Sequence, residues 1–125
     1  MKVPENLLYT KEHEWISKKD NVVKVGITDF AQSQLGDIIF LELPEVGDQI
    51  IAGESFGEIE AVKTVSELYA PINGTILEVN EDLEDSPDNI NQDCYGEGWI
   101  IKVSYEGNLE SDDLLDYNAY SSLIE

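Results

Sequence analysis

The chain has 125 residues, enough for one compact domain spanning 1–125. Its 27 acidic residues outnumber 7 basic ones, all lysines, for a net charge of −20, which argues against binding nucleic acid or an anionic membrane. No apolar run is long enough to span a bilayer, and the first six residues lack the character of a signal or transit peptide. The expected location is therefore cytoplasmic, although a mature mitochondrial form trimmed of its presequence would read the same.

In chain order, Leu7 to Thr10 and Trp15 to Ser17 read as short strands. Lys18-Lys19-Asp20-Asn21 is a polar turn, and Val22 to Ile27 alternates around Lys24, so the last two strands form a hairpin. Thr28 caps a short helix over 28–35, with Phe30, Ala31, Gln34 and Leu35 at helical spacing and Gly36 just past the end. Asp37 to Leu43 is an apolar strand, Pro44 to Asp48 a turn and Gln49 to Ala52 another short strand. Ser55 to Val62 and Thr64 to Tyr69 are further strand candidates. Asn73-Gly74 is the best turn signal, because a type I′ turn needs positive φ at both central residues.

Thr75 to Val79 continues as a strand, and Glu81 to Asp93 is an acidic loop with a helical turn or two. Trp99 to Tyr105 is a strand. The tail from Leu109 reads as two short helices, with Leu114, Leu115, Tyr117, Tyr120, Leu123 and Ile124 as their apolar face. Many short strands separated by Gly, Pro and Asn turns give a mainly β chain: a flattened β-barrel or sandwich with short peripheral helices and a C-terminal helix.

Catalytic signatures are absent. The chain has no G-x-S-x-G, no P-loop and no G-x-G-x-x-G. His13 is the only histidine and Cys94 the only cysteine, so neither a His-rich metal site nor an intramolecular disulfide is expected. Any dithiol chemistry must come from a cofactor or a partner. The acidic run over 82–88 does not fit EF-hand spacing and reads as a solvated loop. Tyr9, Trp15, Phe30, Phe40, Tyr95 and Trp99 read as core. These absences favour a binding or carrier module over an enzyme.

Lys63 stands out. It lies inside Glu58-Ile59-Glu60-Ala61-Val62-Lys63-Thr64-Val65-Ser66-Glu67-Leu68-Tyr69-Ala70-Pro71, flanked on both sides by β-prone residues. Taken alone, it reads as an exposed lysine on an ordinary strand. Val62-Lys63-Thr64 has no Gly or Asn, so local turn rules do not place a hairpin tip there.

The stretch Ile59 to Val65, with Leu68-Tyr69-Ala70-Pro71-Ile72-Asn73-Gly74, resembles the lipoyl attachment region of glycine cleavage H proteins. The resemblance extends along the chain in order, through Tyr9-Thr10-Lys11-Glu12-His13-Glu14-Trp15, Val25-Gly26-Ile27-Thr28-Asp29-Phe30-Ala31, Leu35-Gly36-Asp37-Ile38, Glu42-Leu43-Pro44-Glu45-Val46-Gly47 and Tyr95-Gly96-Glu97-Gly98-Trp99. Ala61, where the family often has Ser, and Cys94, where Pro is expected, depart from the pattern without touching the lysine's chemistry.

The resemblance implies a lipoyl/biotinyl-like hybrid barrel with lipoate covalently attached to Lys63 at the tip of an exposed hairpin. Glu60 and Gly74 match positions read by a lipoate ligase or lipoyl transferase. The implied role is carriage without catalysis, as a monomer. The aminomethyl group left when a pyridoxal-phosphate glycine decarboxylase (P protein) removes CO₂ from glycine passes to a lipoyl sulfur. An aminomethyltransferase (T protein) moves the carbon to tetrahydrofolate and releases ammonia. A dihydrolipoamide dehydrogenase (L protein) reoxidises the dithiol. Glu14 and Glu67, with Glu12 and His13 as lesser candidates, match positions near a cleft that would hold the aminomethyl-lipoyl end, whose cationic amine a carboxylate favours. The alternatives are an H-like lipoyl relay or redox-linked modification target outside glycine cleavage, an unmodified interaction domain, and a biotin carrier. Val62 and Thr64 speak against the last, since biotin carriers usually flank the lysine with Met.

Overall fold

The computed structural model describes residues 2–105 and 114–125. Its strands are β1 (Leu8–Tyr9), β2 (Glu14–Lys19), β3 (Val22–Ile27), β4 (Ile38–Glu42), β5 (Gln49–Ile50), β6 (Ser55–Ala61), β7 (Val65–Tyr69), β8 (Gly74–Val79) and β9 (Ile101–Ser104). Its helices are α1 (Asp29–Leu35), α2 (Asp82–Asp85), α3 (Asn89–Asp93) and α4 (Tyr117–Ile124). The strands form two antiparallel sheets, one ordered β1-β2-β3-β9-β8-β5 and the other β4-β6-β7. The mainly β sandwich with peripheral helices is the architecture expected from the sequence.

The sheets face each other through the inward half of each alternating strand. Val23, Val25, Ile101, Val103 and Ile76 from the larger sheet meet Leu41, Ile59 and Leu68 from the smaller one. A second cluster forms on the outer face of the larger sheet. There Tyr9 pairs with Trp15 and Trp15 with Gly26. The Trp15 indole lies over Gly26, where an added Cβ would sit 2.6 Å from Nε1. That nitrogen donates to the Cys94 carbonyl at 2.9 Å. Helix α4 covers this cluster, with Tyr120 fully buried on Tyr9.

Five local expectations change. Phe40, read as core, is 58% exposed, because it sits on the outer face of β4. Lys18 and Lys19 continue β2, pairing with Val23 and Val22, so the turn shrinks to Asp20-Asn21, with Asp20 at φ 56. Asn73-Gly74 makes no hairpin: β7 and β8 belong to different sheets, Gly74 opens β8 opposite Ile50, and its φ is not positive. Tertiary pairing overrides the dipeptide's turn preference. Trp99 and Ile100 precede β9. Of the two C-terminal helices, the described residues hold one, α4; Leu115 instead bridges Tyr9, and 109–113 lie outside the described residues. Thr28 caps α1 as expected, accepting from the Ala31 N–H at 3.2 Å.

Candidate functional site

Lys63 occupies the tip of the β6–β7 hairpin. Glu60 pairs with Val65, and the Ala61 N–H donates to the Thr64 carbonyl at 2.8 Å, closing the turn around Val62 and Lys63. Neither central residue has positive φ, so the tip lacks the primed geometry that suits a hairpin. A tertiary bond supplies what the turn residues do not: the Val62 N–H donates to the Asp37 carbonyl at 3.0 Å. Asp37 follows Gly36, whose φ of 80 suits glycine. The Lys63 side chain lies over this glycine, and a Cβ on Gly36 would sit 3.3 Å from Lys63 Cε.

The tip is exposed, with Val62 71% and Val65 54% accessible. The one ion pair among the described residues joins Lys102 and Glu78 at 3.2 Å, so Lys63 has no acidic partner there. On the outer face of the smaller sheet, Phe40, Glu60 and Val65 form the rung nearest the tip. Two residues further along, Glu42, Glu58 and Glu67 stand in register as a row of exposed carboxylates. Like charges directly opposite one another are unfavourable on a sheet.

Glu60 is thus one rung from Lys63, whereas Gly74 sits in the larger sheet. Gly74 has its own steric constraint: an added Cβ would collide with the Ser104 carbonyl oxygen and Val103 Cγ1.

Glu14 is buried at the start of β2. Its Oε2 accepts from the Tyr69 N–H at 2.8 Å, and the Thr10 hydroxyl donates to Oε1 at 3.4 Å. Burial pushes its carboxyl up to about 8, with both hydrogen bonds working against the rise. Together with Thr10, Glu12, Tyr69 and Ala70, Glu14 lines a cleft of about 460 Å³. Glu67 is outside that lining and reaches Glu14 only through Tyr69, whose hydroxyl donates to Glu67 at 3.1 Å. The His13 ring turns instead toward Phe30, 4.7 Å between centroids, and the Tyr120 hydroxyl.

Helix α1 links tip and cleft. Gly36 at its C-terminal end lies under Lys63, and Thr28 at its N-terminal end donates its N–H to the His13 carbonyl at 3.0 Å.

Residues 7–125 match the family model described as glycine cleavage H-protein. The chain is 54% identical over 125 residues to the glycine cleavage system H protein of Bacillus licheniformis, covering 100% of this chain and 98% of that one. It is 53% identical over 123 residues to the one from Carboxydothermus hydrogenoformans, covering 98% and 95%. A crystal structure of a glycine cleavage system H protein from Mycobacterium marinum superposes with a TM-score of 0.88 at 43% identity, covering 96% of this chain and 97% of that one.

The chain belongs to the glycine cleavage H-protein family.

As an H-protein family member it is a lipoyl carrier, not a catalyst. Sequence reasoning did not find the parts that hold the H-protein tip and cleft in place. Asp37 acts through its backbone carbonyl, and Tyr69 joins Glu14 to Glu67 through its backbone N–H and its hydroxyl. Backbone roles leave no side-chain signature. No described helix is long and apolar enough to cross a membrane.

Proposed function

We propose that this chain, a single carrier domain over 1–125, bears lipoate as an amide on Lys63 and works as a cytoplasmic monomer. In this reading it takes the aminomethyl group of glycine from the decarboxylase to the aminomethyltransferase and delivers electrons to dihydrolipoamide dehydrogenase. A lipoate ligase or lipoyl transferase installs the group. The observation that carries the reading is the exposed Lys63 tip without an acidic partner among the described residues. Acylation removes the ammonium charge, and at this tip no described carboxylate is left unpaired by that loss.

The bound group supplies a disulfide that takes up the carbon unit and two electrons; the chain supplies place and shelter. Helix α1 and its caps span eight residue steps from Thr28 to Gly36, about 12 Å at the helical rise. An arm from Lys63 would run along this helix toward the Glu12–Glu14 segment, since Gly36 lies under Lys63 and Thr28 on His13. The cationic amine of the cargo then meets Glu14 inside the cleft. Docking favours the ionised carboxylate, so Glu14 gives up its proton as the cation arrives. The cleft walls exclude water and slow loss of the cargo. Glu67 accepts from the Tyr69 hydroxyl and lies outside the cleft lining.

Peptide mass spectrometry on protein from the native host tests the attachment. Lipoate on Lys63, and none in a Lys63→Arg variant, is the expected result; an unmodified Lys63 in lipoate-replete cells overturns the reading. Glycine-dependent NADH formation with the three partner enzymes then separates glycine cleavage from a relay of lipoate to other proteins.

A further inference from the structure

The hydrogen bonds around Tyr120 form a chain whose direction follows from its donors. Thr28 is fully buried. Its Oγ1 accepts the Ala31 N–H at 3.2 Å and lies 2.6 Å from the Tyr120 hydroxyl. No other described residue accepts the Thr28 hydroxyl proton, and a buried hydroxyl proton without an acceptor is strongly disfavoured. Thr28 therefore donates to Tyr120. The Tyr120 proton then points to His13 Nδ1, 2.9 Å away. This makes His13 a neutral ring with its proton on Nε2. Burial lowers the His13 pKa, and only Glu12 pulls the other way, in keeping with a neutral ring.

His13 is a residue that needs holding. Its φ of 66 is left-handed, and it is the last of the four residues connecting β1 and β2, a place where glycine is the usual occupant. Four contacts fix it: the Tyr120 hydroxyl on Nδ1, the Phe30 ring, the Thr28 N–H on its carbonyl, and the Thr10 carbonyl that accepts its N–H at 3.1 Å. Tyr120 is itself immobilised, stacked on Tyr9 at 4.6 Å between centroids and 8° between planes. At the other end of the hydrogen-bond chain, His13 is flanked in sequence by Glu12 and Glu14, both of which line the cleft.

We propose that Tyr120 is a positioning residue for the cleft: through Thr28, Tyr120 and His13, the C-terminal helix holds His13 left-handed and so sets the Glu12–Glu14 wall against which the cationic cargo docks. This rests on the cleft reading given above. Part of the docking site is thereby controlled by α4, a helix that lines no part of the cleft.

The test is Tyr120→Phe, which keeps the ring stack and removes the hydroxyl. In long-range proton–nitrogen spectra of the unmodified protein, wild type shows the Nε2–H tautomer and the variant a tautomer mixture. The lipoylated, aminomethyl-loaded variant loses its cargo about tenfold faster than wild type. Adding His13→Gly restores the lifetime, because glycine takes the left-handed conformation unaided; a purely packing role for Tyr120 gives no such rescue. Should Tyr120→Phe fail to fold, the wild-type spectrum alone still decides: a proton on His13 Nδ1 overturns the proposal. An unchanged tautomer, an unchanged lifetime or a failed rescue overturns the proposal. A Glu14→Gln lifetime equal to wild type instead sinks the cleft reading, while the His13 spectrum still reports on the hydrogen-bond chain.

Discussion

Glu14 couples the proposed docking to pH. Its raised carboxyl means that the folded chain holds a proton there which the unfolded chain has already released. The stability associated with the protonated form is therefore complete below about 4.5 and is lost as pH rises toward about 8. Glu14→Gln flattens that loss, which denaturant midpoints across the range will show. Arm docking runs the other way. Below the Glu14 pKa each pH unit upward tightens it, by at most about tenfold. Calorimetry of cargo-loaded protein in buffers of different ionisation enthalpy should register proton release approaching one per chain. Gly74 makes a different point at the same scale. Gly74→Ala pushes on the β9 backbone and costs about 1–3 kcal/mol as overpacking. If lipoylation also fails in that variant, thermal unfolding separates misfolding from lost recognition by the ligase.

Among the elements, the row Glu42, Glu58, Glu67 across β4, β6 and β7 places like charges side by side. Glu58→Lys converts two repulsive neighbours into attractive ones. A gain of about 1 kcal/mol is expected by chemical denaturation. The sequence was legible where local chemistry and tertiary structure agree. Thr28 and Gly36 frame α1 because capping and a positive φ are local demands. It was illegible where one backbone serves a distant one. Nothing in Val62-Lys63 encodes a tip; the bond to the Asp37 carbonyl does. Asn73-Gly74 looked like a hairpin turn, yet Gly74 is there because β9 runs too close for a side chain. At the candidate site, family resemblance pointed to Lys63, Glu14 and Glu67 alike. The link between the two carboxylates left no signal in the sequence, because it runs through the Tyr69 backbone N–H and hydroxyl.

The whole molecule carries a net charge of −20, so its partners meet it through a long-range field. Basic docking surfaces would be drawn toward it, and salt would slow that encounter by screening. Association rates with the partner enzymes should fall steeply between low and physiological ionic strength, while the thermal midpoint of the isolated chain rises as self-repulsion is screened. Stopped-flow binding and scanning calorimetry in a salt series measure the two. A midpoint that fails to rise would mean that the acidic residues are spread widely enough to have no mutual cost.

Helix α1 has one end under Lys63 and the other on His13. Its seven residues act as a gauge. A cofactor arm has a length fixed by covalent chemistry, and no change elsewhere in the chain can stretch it. Inserting one helical turn into α1 would shift the tether from its harbour by about 5.4 Å, whereas extra residues in the exposed turn at 44–48 would leave that spacing alone. Insertions and deletions should therefore be rare between Thr28 and Gly36 and tolerated at 44–48, a pattern that a library of length variants selected for cargo retention would reveal.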